Sequence, residues 1–135
     1  MVSTIQNNRD HRKICVIDGK VGFTGGVNLA DEYINRRTRF GHWKDTAIML
    51  EGDAVRSLTI MFLQMWNIDE KKTDDYSRYL LPAGSTFDPK DGYVLPYGDN
   101  PYDKENVGEE VYFHILNHAK EYVHIMTPYL ILDNE

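Results

Sequence analysis

Cysteine is almost missing from this 135-residue chain: only Cys15 is present, which excludes an internal disulfide framework and fits a reducing compartment. Long apolar runs are missing too. The most apolar stretch, LTIMFLQMW, falls well short of the roughly 20 residues a membrane-spanning helix needs. The N-terminus has no secretory signal pattern. Positive charge is scarce after residue 44, where seven Lys or Arg face seventeen Asp or Glu, and the whole chain carries −6. With no extended basic run, that balance argues against a nucleic-acid partner. What is present describes a folded globular chain, with 41% hydrophobic and 27% charged residues. The length suffices for one ordinary domain and is too short for two full lobes of a large enzyme.

The first 44 residues differ from the rest. They hold eight Lys or Arg against four Asp or Glu, a net of +4, which suits an anionic ligand such as a phosphate. KICVIDG is a short β-branched run closed by glycine and predicts a buried strand. KVGFT predicts its return partner across a turn at Asp18-Gly19. NLADEYINR predicts a short helix after the glycines, and KDTAIMLEG a further strand ending at Gly52. Residues 53–67 predict an amphipathic helix with Val55, Leu58, Phe62, Met65 and Trp66 at helical spacing and Asp53 as N-cap. The polar, Pro- and Gly-broken stretch DEKKTDDYSRYLLPAGSTFDPKDG reads as a linker. YVLPYG predicts a short strand, 107–121 a second helix with Val107, Val111, Ile115, Leu116 and Ala119 on one face, and YVHIMTPYL a buried strand. Alternating strands and helices indicate an α/β sandwich.

Residues 10–28, DHRKICVIDGKVGFTGGVN, carry the chemistry. On a strand, His11 and Lys13 share a face. Gly25 and Gly26 let backbone approach a ligand closely. A helix starting near Asn28 would offer free N–H groups to an anion. Imidazole, ammonium, amide and helix start together suit a phosphoryl group. Each element is commonplace alone, and Asp18 before glycine is a good turn residue in its own right. The combined pattern His-x-Lys-x4-Asp-x6-Gly-Gly-x-Asn is far more specific.

This pattern resembles the HKD motif of the phospholipase D superfamily. The segments DHRKICVIDGKVGFTGGVNLADEYI, GHWKDTAIMLEGDAV, MWN and TPYLILDNE resemble bacterial cardiolipin synthases in the same order. The resemblance implies a phospholipase D-like α-β-α sandwich, here partial. Residues 1–69 would be the C-terminal part of a first lobe, 70–92 an interlobe linker, and 93–135 the start of a second lobe, cut from a longer protein. It implies phosphatidyl transfer between two phosphatidylglycerol molecules through a phosphohistidine, giving cardiolipin and glycerol, with no metal or cofactor. It further implies a parent protein at the cytoplasmic side of a bacterial membrane, working on an anionic phospholipid surface.

Carried over by position, His11 is the nucleophile or its acid/base partner. Lys13 and Asn28 hold the non-bridging phosphate oxygens beside Gly25 and Gly26. Asp18 matches the motif's aspartate, and Asp45 in HWKDT is the candidate carboxylate orienting His11. The full pattern occurs once, so the chain would carry half of a catalytic pair. Two alternatives stand beside this: a phosphodiesterase or nuclease of the same superfamily acting as a dimer, and a catalytically inert module. A homodimer of the chain is expected on either view. His114 and His118 lie four apart on the second predicted helix, but without a third ligand no metal site is expected there.

Overall fold

A computed structural model of the chain describes residues 10–39, 41–68, 71, 74–80, 92–99 and 104–127. They belong to two compact units, Met1–Pro96 and Tyr97–Glu135.

The first unit is built on a three-stranded antiparallel meander, β1 (Ile14–Ile17), β2 (Val21–Gly25) and β3 (Ala47–Glu51), in the order β1-β2-β3. The β1–β2 turn lies at Asp18-Gly19-Lys20, as the local chemistry predicts. Asp18 and Gly19 take positive φ values of 53° and 65°, and Lys20 N donates to Ile17 O at 2.9 Å. Register follows from Cys15 opposite Phe23 and Phe23 opposite Met49.

Helix α1 (Ala54–Trp66) covers one face of this sheet. Its apolar spacing is the reason it forms and the reason it docks: Val55, Leu58 and Leu63 are the buried hydrophobic side chains among the described residues. Gly22, midway along β2, makes the close approach possible. A Cβ there would meet Leu58 Cδ1 at 2.8 Å and both Val55 methyls at 3.6 Å. Asp53 stands before the helix but takes helical angles and makes no side-chain cap; at the other end Asn67 N and Nδ2 both donate to Leu63 O. Phe62 and Trp66 are 46% and 67% exposed and stack on one another at 5.8 Å instead of entering the core. The opposite face of the sheet is open, with Cys15, Ile17 and Met49 exposed.

Three sequence expectations need correction. Residues 28–36 form turns and no helix. Asp31 O accepts from both Arg36 N and Arg37 N, Asn35 sits at φ 60°, and Leu29 and Ile34 are exposed, so no buried apolar stripe supports helical continuation. Within the stretch read as a linker, Tyr76–Tyr79 form a 3-10 helix that packs on α1, capped by Asp75, whose side chain accepts from Ser77 N. Neither 93–98 nor 122–127 is a strand. Both stretches lack a ladder partner among the described residues, and Tyr93, Leu95, Tyr122 and Met126 are exposed. The end of YVHIMTPYL lies outside the described residues.

In the second unit, α2 (Val107–His118) forms where helical spacing predicts and stops three residues sooner. An acid from earlier in the chain serves its N-terminus: Gly108 N donates to Asp99 Oδ1 at 2.9 Å, and Glu109 and Glu110 face the positive helix end. Ile115 and Leu116 are each half exposed. Fold class is therefore α/β in content, with a small sheet and helices.

Two measurements check these forces. In urea titrations of the chain, Leu58→Ala should lower stability by about 2–4 kcal/mol, and Gly22→Val by about 1–3 kcal/mol through overpacking against Leu58. Trp66→Ala should change it by less than about 1 kcal/mol. Separately, Tyr79 Oη donates to Asp74 Oδ2 at 2.6 Å, and this bond raises the phenol above its ordinary 10.0. A raised phenol contributes stability that is complete below the unfolded value and lost as pH rises through the folded one. Asp74→Asn should bring the Tyr79 titration, read by NMR, back down.

Candidate functional site

The segment leading into β1 sets out the cations in two different ways. Arg12 is committed to Asp10: Nε donates to Oδ1 at 2.9 Å and Nη2 to Oδ2 at 3.1 Å, a two-pronged pair. This guanidinium, through its hydrogen bonds, holds the Asp10 carboxyl below its ordinary 3.8, against a smaller opposing effect of burial. Lys13 is half-buried and turns back on His11. Its Nζ donates to the His11 carbonyl at 2.6 Å and lies 3.0 Å from His11 Nδ1.

The second contact decides a proton position. An ammonium only donates, so Nδ1 must accept, and in the neutral ring the proton then sits on Nε2. His11 is exposed. Two of the three Lys13 donors are used, which leaves one for an anion. Lys13 and Gly25 line a cavity of about 310 Å³ whose other walls include Ile14, Phe23, Val27 and Leu29. The cavity thus combines one ammonium with a mostly apolar wall.

Asp45 sits just before β3 in a separate network. Its Oδ2 accepts from Trp43 Nε1 at 3.2 Å and its Oδ1 from Thr46 N at 2.8 Å. Gly26 packs directly on this carboxylate. A Cβ at Gly26 would collide with Asp45 Oδ1, and one at Gly25 with Thr46 O. Both glycines therefore make room for the β2–β3 junction, where Gly26 N donates to Thr46 O at 3.0 Å. Trp43 is itself clamped. Asn35 Nδ2 donates to Trp43 O at 2.8 Å, Asn35 Oδ1 accepts from Trp43 N at 2.7 Å, and Tyr33 meets the indole edge-on at 5.0 Å.

The contacts of the sequence-derived residues fall in neighbouring sets, since Gly25 of one is bonded to Gly26 of the next. His11 and Lys13 are in direct contact, with Gly25 lining the same cavity as Lys13. Asp45 and Gly26 form a second contact, and the hydrogen bonds of Asp45 run to Trp43 and Thr46. Asp18 stands in the β1–β2 turn, five residues along the strand from Lys13, on the order of 17 Å at strand rise. Asn28 precedes a turn in place of the expected helix start; its carbonyl accepts from Ala30 N at 3.2 Å. The spacing alone gave no hint of Asn35, which reaches Trp43 across eight positions.

The bare triplet His-x-Lys recurs at His42–Lys44 and at His118–Lys120, so the triplet itself is not single. Neither copy has an aspartate five positions after its lysine, and only the full pattern is single. Among the described residues no group of three or more His, Cys, Asp or Glu is arranged to hold a metal, and no helix is long and apolar enough to cross a membrane.

The chain is 40% identical over 129 residues to a cardiolipin synthase of Alkalihalophilus pseudofirmus, covering 96% of this chain and 25% of that one. It is 39% identical over 134 residues to a cardiolipin synthase of a Geobacillus species, covering 99% and 26%. The chain is similar to part of a cardiolipin synthase. An uncharacterized protein of Streptococcus mutans is 60% identical over 134 residues, covering 99% of this chain and 29% of that one. The chain thus spans about a quarter of the length of the curated relatives it matches. No family model matches it, and no solved structure does.

The proton assignment can be measured directly. Long-range proton–nitrogen NMR of the neutral His11 ring should show the hydrogen on Nε2. Lys13→Ala should erase that preference without moving the Trp43–Asp45 signals. A ring with its hydrogen on Nδ1 in the unmodified chain would overturn the assignment.

Proposed function

We propose that this chain is a segment of a cardiolipin synthase of the phospholipase D superfamily and contributes one of the two histidines of its active site. The observation that carries the proposal is the 38–40% identity, over 96–99% of the chain, to proteins named cardiolipin synthase. The contact between His11 and Lys13 beside a mostly apolar cavity supports it, because a phospholipid presents an anionic phosphate attached to apolar chains.

The reaction exchanges one phosphodiester for another. An imidazole nitrogen attacks the phosphorus of phosphatidylglycerol, and the bond from phosphorus to the glycerol oxygen breaks. A second histidine, from a second motif outside this chain, gives its proton to that oxygen and glycerol leaves. The hydroxyl of another phosphatidylglycerol then attacks the phosphohistidine. Its proton goes to the second histidine, the phosphorus–nitrogen bond breaks, and cardiolipin is released. Lys13 would neutralise charge on the non-bridging oxygens with its remaining donor, beside the amide of Asn28.

His11 can occupy either half of this scheme. To act as the acid it must be the imidazolium, protonated on both nitrogens, so that Lys13 Nζ has to leave Nδ1. To attack through Nε2 it would have to carry the proton on Nδ1 instead, held by a carboxylate, the role proposed for Asp45. The parent protein would act at the cytoplasmic side of a bacterial membrane, on an anionic lipid surface. An overall charge of −6 disfavours the nuclease alternative. Because the full pattern occurs once, the chain alone is expected to be inert unless two copies pair in a homodimer.

The test uses the intact parent in phosphatidylglycerol vesicles with excess chelator. His11→Ala should lower cardiolipin formation by roughly 10²–10⁴-fold. A phosphoryl label trapped at high pH on His11 would make it the nucleophile, and a label on the other histidine would make it the acid. Unchanged turnover in His11→Ala would overturn the proposal. The isolated chain should cleave a soluble phosphodiester no faster than its own His11→Ala variant.

A further inference from the structure

Asn35 belongs to no motif of the sequence, yet its side chain meets the backbone of Trp43 twice. Nδ2 donates to Trp43 O at 2.8 Å, and Oδ1 accepts from Trp43 N at 2.7 Å. These partners settle which end of the amide is which, because the carbonyl can only accept and the backbone N–H can only donate. Two residues facing each other in an antiparallel ladder exchange the same pair of bonds. Trp43 lies ahead of β3 and in no strand, so the Asn35 side chain takes the place of a strand neighbour. Asn35 itself takes a φ of 60°, a left-handed conformation that asparagine accepts more readily than most residues.

What this clamp holds is a hydrogen-bond donor. Trp43 Nε1 donates to Asp45 Oδ2 at 3.2 Å, while Thr46 N donates to Asp45 Oδ1 at 2.8 Å. Tyr33, from the same turn as Asn35, meets the indole edge-on at 5.0 Å with the planes at 79°. Both the backbone and the ring of Trp43 are therefore held from one turn. One bond to each oxygen fixes the plane of the carboxylate, and the absent Cβ of Gly26 leaves room for Oδ1. A carboxylate offers about four acceptor positions. Among the described residues these two bonds leave others open to an imidazole N–H.

We propose that Asn35 is a positioning residue for phosphatidyl transfer, orienting the Asp45 carboxylate through the indole of Trp43. This rests on the reading of Asp45 as the group that holds the Nδ1 hydrogen of a nucleophilic His11. The contribution of Asn35 is geometric, since it carries no charge and moves no proton. Without the clamp the indole can turn to water, and Asp45 is left with the bond from its own neighbour, Thr46. Its plane can then rotate, and the imidazole it orients spends less time aligned with phosphorus. Turnover falls, while affinity for the lipid does not.

Three variants separate the links. Asn35→Gly accepts the same left-handed backbone and removes the amide. Trp43→Phe keeps the clamp, which uses backbone atoms of residue 43, and keeps an aromatic ring, but removes the N–H. Asp45→Asn removes the carboxylate. In the chain, hydrogen exchange of the Trp43 indole N–H, followed by NMR, should quicken at least about fivefold in Asn35→Gly. The indole of the exposed Trp66 should exchange as before. In the intact parent on phosphatidylglycerol vesicles, Asn35→Gly and Trp43→Phe should each lower kcat roughly 10- to 100-fold, with KM within about twofold. In an Asp45→Asn background, Asn35→Gly should add no further loss, because both changes act on one path. A merely structural asparagine would add its own.

Unchanged indole exchange in Asn35→Gly would overturn the proposal, as would a full additional loss in the Asp45→Asn background. Unchanged kcat in Trp43→Phe would do the same, and that variant serves even where Asn35→Gly fails to fold. Loss of turnover in His11→Ala with none in Asn35→Gly overturns this inference alone and leaves the assignment of His11 standing. Unchanged turnover in His11→Ala overturns the reading it rests on, and this inference with it.

Discussion

The seating of Leu58 and Val55 over Gly22 is the contact on which the first unit depends. Among the described residues few side chains are fully buried, so this small cluster carries much of their hydrophobic stabilisation. It works because the middle strand has no side chain at the point of closest approach. Once α1 is fixed there, the sheet has a definite inner face, and the ends of its strands have definite positions. Four of the candidate site residues sit at such ends: Lys13 before β1, Gly25 and Gly26 at the end of β2, and Asp45 before β3.

At those ends the groups are held by competition for hydrogens. Lys13 donates to His11, Trp43 and Thr46 donate to Asp45, and Arg12 neutralises Asp10. Asp10 and Asp45 thus each have donors of their own, and the imidazole has an ammonium as neighbour. Exchange of these partners, more than displacement of any strand, would convert one proton arrangement of the ring into the other. The proton arrangement of the ring therefore depends on a few exposed hydrogen bonds, whereas burial holds the scaffold.

Local chemistry was the legible part of the fold. The Asp18-Gly19 turn and the α1 spacing follow from the residues themselves, because left-handed turn positions and a one-sided apolar stripe need no distant partner. Elements that depend on a partner were misread. Residues 28–36 have helical spacing, but Leu29 and Ile34 have nothing to cover them and Asn35 is drawn to Trp43. Residues 122–127 alternate as a strand should, yet a strand is made by its neighbour. In the site, the juxtaposition of His11 and Lys13 was visible as a short spacing. The glycines were visible too, though the atoms they accommodate belong to Asp45 and Thr46, which no reading of nearby residues could show. The His-x-Lys triplet was less distinctive than the complete motif, as its recurrence at His42 and His118 shows.

The clamp of Asn35 on Trp43 has a consequence for how this chain can vary. Two hydrogen bonds from one amide side chain close the chain between them into a lariat whose base is rigid whatever its rim contains. Arg36, Arg37 and Arg39 lie on that rim and are exposed, Arg39 with Glu32 as its ion partner at 3.4 Å, so the rim carries a cluster of positive charge. Doubling the length of such a closed loop costs only about 0.6 kcal/mol in entropy. Insertions and charge changes between Arg36 and His42 can therefore accumulate while Trp43 and Asp45 stay where they are. This is the stretch in which a lineage could retune its local charge without rebuilding the β2–β3 junction.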